Sequence, residues 1–495
     1  MALTAPGFLL MKKILPCLAA LLTLAAAPVA AQAEGIVLKY HFKKDITVTS
    51  LGEQQIPGRQ PFLETAKSSE EKDYTAVLMP QHLSLRTGDE EKVYNFIEKT
   101  FAEVDHANKT YRLLPLHALP LANHKKRATM APRAVDFVKR TGTAKLIKTL
   151  SGMAYDTEAI MMSLDTLYAG ESNQNSAAAL QYKAETRTLN DTSGKAASFT
   201  LSETDVPQGL QKTYRRFLVY APVLHPVMEK AVASDPKFFA MLEYKTNNYM
   251  GTATDESWTL TGTEAAPDKP PAVPAGYTRR YSDNEDVNKT ILVAQKDGPA
   301  PSHFVDKVKE FIKNRDTLRA VTAFYEMRLS LPADENKDAI EDLSMQLLMV
   351  MNDGFSKQVM RAMEQKQTTI DGLNFSNKAL AHAAQKTKND GGTDYTYFYD
   401  VFTARNIRDI MKLAGGGPDY RELAKAQRMD IMALFTNPWL AAAYADLGAA
   451  EYEYGDALFA WVCWEQAARL KPDLGTLDKM DAQRRLAEKE FPEYF

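Results

Sequence analysis

The stretch Ala265-Ala266-Pro267-Asp268-Lys269-Pro270-Pro271-Ala272-Val273-Pro274-Ala275-Gly276 separates two kinds of sequence. Four of its twelve residues are proline, which fixes φ and removes a backbone donor, so no helix or interior strand runs through it. An extended linker is expected over 263–276. Upstream of it, short apolar runs alternate with a period of two. Downstream, apolar positions recur with the period of a helix. The change of period predicts an α+β chain: an N-terminal β-rich antiparallel domain with helical insertions at 34–262, then an all-α domain at 277–495.

In the first domain Ile36, Leu38, Tyr40 and Phe42 alternate. Tyr74–Met79 and His82–Arg86 flank Pro80-Gln81 as a hairpin, and Lys92–Ile97, Phe101–Asp105 and Lys109–Leu114 extend it as a meander with Asn108 in a turn. Ala144–Leu150 and Ala159–Leu164 flank Ser151-Gly152, and Trp258-Thr259-Leu260 closes the region. Helical insertions are expected at Thr213–Tyr220 and on both sides of Asp235-Pro236. The run Lys92-Val93-Tyr94-Asn95-Phe96 and the ending Asp105-His106-Ala107-Asn108-Lys109-Thr110-Tyr111 resemble periplasmic half-barrel proteins, the lipoprotein-localisation factors and related envelope domains. That resemblance implies a half-barrel, a curved sheet wrapped around a helix, often with an apolar cavity for a lipid or lipoprotein.

In the second domain Phe304, Val308, Phe311 and Ile312 share one helical face, as do Leu318, Val321 and Tyr325. Further helices are predicted at about 335–352, 355–366, 376–388, 396–413, 420–436, 438–453, 456–470 and 476–490. Asp353-Gly354, Asn389–Gly392 and Gly415–Pro418 supply the breaks. Tyr444-x2-Leu447-Gly448, then Ala460-x3-Trp464, Ala467 and Pro472, resemble the tetratricopeptide repeat over about 438–472. Tyr444 stands where the family has tryptophan, Trp464 where it has phenylalanine, and Glu451 where it has an aromatic. The resemblance implies that Leu447 and Ala460 join two helices, that Gly448 lets them approach, and that Pro472 stops the second. One period earlier the register gives Leu413, Ala426, Ala433 and Pro438, a degenerate repeat at best because Gly415–Pro418 would break its first helix. Leu477–Leu486, within about 476–490, reads as a terminal capping helix.

At the N-terminus Lys12 and Lys13 precede the apolar run Ile14–Ala27 and the small-residue site Ala31-Gln32-Ala33. This is the order of a secretory signal peptide over residues 1–33, cleaved between Ala33 and Glu34, and the run is too short to span a bilayer. Met11 is an alternative start. The mature protein is then expected in the periplasm of a Gram-negative cell envelope, with no transmembrane span. Loss of two lysines takes the net charge from −3 to −5, against a nucleic-acid partner. Cys463 remains as the sole cysteine, so no internal disulfide is possible.

No catalytic motif is present. The histidines at 41, 82, 106, 117, 124, 225, 303 and 382 form no metal-ligand spacing, and neither metal nor cofactor is expected. His106 beside Asp105 has the residues of a general base, and equally of an ordinary surface turn. Ser69-x-x-Lys72 lacks the Lys-Thr-Gly companion of penicillin-binding enzymes, no Gly-x-Ser-x-Gly elbow occurs, and Thr192-Ser193-Gly194-Lys195 reads as a turn. Met345, Met349, Met351, Met360 and Met363 sit at helical spacing and are expected in the core rather than around cuprous ion. His124, Lys125, Lys126 and Arg127 concentrate positive charge, suited to anionic lipid or an acidic partner, or simply solvated. Trp439 and Tyr452 are the aromatic residues expected to face a partner, with Tyr444 and Trp464 in the core.

These readings converge on an exported, non-enzymatic binding or scaffold protein. Its tetratricopeptide-like helices would dock envelope proteins, and its β domain would hold a lipid, a lipoprotein or a second partner. The alternatives are a periplasmic hydrolase whose groups, such as His106 or His82, assemble from distant positions, and a purely structural protein.

Overall fold

The computed structural model describes residues 35–51, 63–120, 181–191, 194–222, 226–247, 252–364, 367–415, 419–454 and 456–495. The described N-terminal half is built largely of antiparallel strands and the described elements from Glu285 to Glu490 are all helices, an α+β architecture. The strands are β1 (Ile36–Leu51), β2 (Leu63–Met79), β3 (His82–Thr87), β4 (Glu90–Asn95), β5 (Thr100–Asp105), β6 (Thr110–Pro115), β7 (Gln181–Lys183), β8 (Thr188–Asp191), β9 (Gly194–Asp205), β10 (Lys237–Asn247), β11 (Thr252–Ala265) and β12 (Thr278–Arg279). Helices α1 (Gln211–Tyr220) and α2 (Pro226–Ala233) lie between β9 and β10. The helical half runs through α3 (Glu285–Ala294), α4 (Pro301–Lys313), α5 (Thr317–Ser330), α6 (Lys337–Val350), α7 (Gly354–Glu364), α8 (Ile370–Asn389), α9 (Thr396–Ala414), α10 (Tyr420–Thr436), α11 (Ala441–Tyr454), α12 (Ala457–Leu470) and α13 (Thr476–Glu490). The described residues form two compact units, 35–93 with 181–272, and 94–120 with 273–495.

In the first unit the strand order is β3-β2-β1-β11-β10-β9-β8-β7, with neighbours antiparallel. The hairpin expected around Pro80-Gln81 forms, with Met79 opposite His82. Alternation sends Tyr40 and Phe42 inward beside Trp258 and Leu242, all buried, while Lys39 pairs with Glu264 on the solvent side. Residues that alternate in this way need a cover for one face. α1 supplies it: Phe217 stacks on Tyr40 at 5.6 Å, Tyr214 meets Phe238 edge-on at 4.9 Å, and the Tyr214 hydroxyl accepts the Phe239 N–H at 3.0 Å. The helix expected after Asp235-Pro236 is instead strand β10. Pro236 closes the helical segment, and the aromatic run that follows pairs with β9 on one side and β11 on the other.

In the second unit β5 and β6 pair antiparallel, and β12 joins β6 in parallel. β4 ends at Asn95, whose side chain accepts the N–H groups of Ile97 and Glu98, so Ile97 turns outward instead of extending the strand. Most helices lie where the sequence places them, and α10 and α13 match to the residue. α3 is additional: Asn284 accepts from Asp286 and Val287 as its N-cap, and two acids fill its first turn. α5 sits deep in the unit and is buried nearly all round, which requires its polar groups to be paired. Arg319 donates to the carbonyls of Thr387 at 2.7 Å and Thr393 at 3.0 Å. Glu326 accepts from Lys307 at 3.1 Å and Asn437 at 2.9 Å, and from the Tyr397 hydroxyl. From α7 onward each helix packs chiefly on the next in sequence, and α9 also reaches α11.

Candidate functional site

The residues singled out as a repeat come together as the antiparallel pair α11 and α12. Tyr444, Leu447, Ala460 and Ala467 are fully buried. Gly448 is where the helices touch: a β-carbon there would fall 2.5 Å from the Trp464 ring and 3.0 Å from the Ala460 carbonyl oxygen. Asp456 caps α12 by accepting the Phe459 N–H at 2.9 Å. Pro472 lies just beyond the end of α12, exposed. Trp464 is half-buried rather than fully enclosed, and contacts Tyr452 at 5.6 Å and Trp461 at 5.7 Å. Cys463 is buried, and burial pushes its thiol well above the ordinary value.

The preceding pair, α9 and α10, presents Ala426 and Ala433 at full burial, in the places Ala460 and Ala467 hold one period later. Gly415 ends α9, in a left-handed conformation with φ of 69°, and Leu413 at that end is exposed. A charged network fastens α9, α10 and α11. Arg405 and Arg408 both donate to Asp446, at 2.7 and 2.6 Å, and Arg408 reaches Asp430 at 3.2 Å. Burial raises the Asp446 carboxyl, but the two arginines outweigh it and hold the carboxyl below its usual range. Asp430 has burial against it and one direct arginine contact for it, so its carboxyl lies well above the usual range. Its Oδ1 has no partner among the described residues.

The two aromatics expected to face a partner are both engaged inside the unit. Trp439 is half-buried, its indole N–H donates to the Lys296 carbonyl at 3.3 Å, and its ring lies over Gly298. Tyr452 is half-buried against Trp464. The exposed aromatic pair is Tyr420 and Tyr454, edge to face at 5.7 Å. It joins the start of α10 to the end of α11, and Leu413 is exposed at the neighbouring end of α9. The repeat pattern passes over Tyr454 because it fixes only the packed positions. Two residues of helix turn a side chain about 200°, which puts Tyr454 on nearly the opposite face from Tyr452.

Asp105, the neighbour of His106 in sequence, is engaged within its own turn. It accepts from the backbone and side chain of Asn108, at 2.9 and 2.7 Å, and His106 Nδ1 is bonded to the Tyr277 hydroxyl at 2.9 Å. Among the described residues no group of three or more His, Cys, Asp or Glu could hold a metal ion. In the β unit a cleft of about 440 Å³ opens beside β9, β10 and β11. Asp45, Glu243, Asp255 and Glu256 line it with two lysines, and both lysines are paired: Lys195 with Glu243 at 3.1 Å and Lys245 with Asp255 at 3.3 Å. Charged side chains line its walls, with about as much apolar as polar surface between them. The cleavage site Ala33–Glu34, the basic run His124, Lys125, Lys126 and Arg127, and the strands expected at 144–150 and 159–164 lie outside the described residues. No described helix is long and apolar enough to cross a membrane.

No family model matches the chain, and no curated protein matches it. Among solved structures, one described as lipid-protein interactions in lipovitellin is similar with a TM-score of 0.18 and 8% identity, over 92% of this chain and 58% of that one. The chain thus spans little more than half of that neighbour's length, and a similarity of this size carries no argument about fold or function.

Proposed function

We propose that this chain is an exported, non-enzymatic binding protein of a Gram-negative cell envelope that docks a protein partner through its tetratricopeptide-like helices. The observation that carries this reading is the exposed pair Tyr420–Tyr454, carried with the exposed Leu413 on three helices that the Arg405–Asp446–Arg408–Asp430 network joins. Tyrosines presented on a rigid support make favourable interface anchors, because they bury much area while losing little rotamer freedom. The signal-like N-terminus supports export. The β unit would hold a lipid, a lipoprotein or a second partner.

The test is photo-crosslinking in intact cells from a reactive residue placed at Leu413. A defined envelope protein should be captured by the otherwise wild-type chain. Tyr420→Ala combined with Tyr454→Ala should weaken that capture by about ten- to a hundredfold while leaving the helical circular dichroism unchanged. Capture that persists undiminished in the double variant would contradict the assignment of the surface. A crosslinked chain found only in the cytoplasm would contradict the export.

A further inference from the structure

Two helices of the second unit carry solvent faces that match each other. On α6 the exposed face opens with Asp338, Glu341 and Asp342 and continues as Met345, Leu348 and Met349, which are 59%, 59% and 77% exposed. The sequence had placed these methionines in the core; Met351 and Met363 are buried there, but Met345 and Met349 point outward. The fully buried residues of α6 are Leu343 and Leu347, and at 100° per residue the exposed residues centre opposite them. On α10 the exposed stripe opens with Arg421, Lys425 and Arg428 and continues as Met432 and Phe435, 52% and 41% exposed. Its packed side is Leu423, Ala426, Asp430, Ala433 and Leu434.

Both faces therefore read charged then apolar from N- to C-terminus, with opposite charge. The separation between charged and apolar centres is about 11 Å on α6 and about 13 Å on α10 at 1.5 Å per residue. Laid parallel, α6 of one chain and α10 of another bring acids to bases and methionines to Met432 and Phe435. Methionine suits such a seam because it adapts to the shape of its partner. The intrahelical ion pairs on these faces are long, Lys337 to Glu341 at 3.9 Å and Lys425 to Glu422 at 3.7 Å, and Asp342 accepts from the neutral Gln346 amide at 2.9 Å, which leaves its charge unneutralised. Such long surface pairs contribute little, so they leave the charges available to a partner.

We infer that the occupant of these faces is a second copy of this chain, joined through α6 of one protomer on α10 of the other. If both contacts form at once, the pairing is isologous and closes as a dimer.

Sedimentation velocity on the full chain at low and high salt tests the inference, using two triple variants. One carries Asp338→Lys, Glu341→Lys and Asp342→Lys; the other carries Arg421→Glu, Lys425→Glu and Arg428→Glu. The wild type should self-associate, more weakly as salt rises. Each variant alone should remain monomeric, with its dissociation constant raised at least about a hundredfold by like charges now facing each other. Mixed in equal amounts the two variants should pair, since each contact in the mixture again joins acid to base. Met349→Asp, in the apolar half, should weaken the wild-type association too, and provides a single-site test should a triple variant lose its helical signal. A wild type that stays monomeric over its soluble range, variants that associate like the wild type, or a mixture that fails to pair would each overturn the inference.

Discussion

Gly448 shows how one residue type sets a distance. A glycine inside a helix costs about 1 kcal/mol relative to alanine, so Gly448→Ala gains local helix propensity. The added β-carbon meets the Trp464 ring and the Ala460 carbonyl oxygen, and overpacking of this kind costs about 1–3 kcal/mol. The packing term dominates, because the carbonyl belongs to the facing backbone and cannot swing away. Gly448→Ala should lower stability by up to about 2 kcal/mol in chemical denaturation. Glu451 makes a second residue-scale prediction. Burial, with Asp456 nearby, pushes its carboxyl up to about 7. A carboxyl that holds its proton more tightly when folded favours the fold most below its unfolded value, and that contribution is lost as pH rises through the folded value. Stability should therefore fall between about pH 4.5 and 7 by on the order of 2 kcal/mol from this group. Asp400, pushed up to about 6 by burial, adds a slope of the same sign. Glu451→Gln should make the slope shallower in denaturation curves taken across that range; an unchanged slope would reject the assignment. The aromatic tetratricopeptide pattern gave no sign of this carboxyl's environment, only that an acid stands where a ring is usual. Tyr444, Leu447, Gly448, Ala460 and Ala467, to which its spacing assigns packed positions, are buried. The pattern could not rank Tyr452 against Tyr454, since which tyrosine meets water depends on Trp464 from the next helix.

At the scale of elements, the Arg408 guanidinium bridges α9 to both α10 and α11. Arg408→Leu would leave Asp430 and Asp446 buried with one arginine fewer, and breaking such a pair from one side costs about 3–5 kcal/mol. Thermal and denaturant unfolding should show that loss, and replacing Asp430 by asparagine in the same chain should recover part of it. Equal stability of Arg408→Leu and wild type would remove the network from the account of how these helices are held. Helix positions were largely legible because their apolar spacing and breakers are local features. Two departures have local causes that were equally readable: Asn284 followed by Glu285 and Asp286 signals the start of α3, and Pro236 followed by the apolar run Phe238–Leu242 signals β10. The charged network was not legible, because Arg405, Arg408, Asp430 and Asp446 are distributed over three helices and only packing brings them together.

For the whole molecule, the change of period across the proline-rich stretch carried the α+β architecture. It did not show that β5 and β6 group with the helices, a long-range outcome of pairing and burial. The outward faces of α6 and α10 were hidden for the same reason, since methionine at helical spacing reads as core until the neighbouring helices are placed. The most direct test of the central claim is native mass spectrometry of the protein released gently from the periplasm of its own cells. The account predicts a chain beginning at Glu34 that carries the mass of an envelope protein other than itself, and predicts that this companion is lost when Tyr420 and Tyr454 are both alanine. A bare chain, or a companion that survives that double substitution, would contradict it.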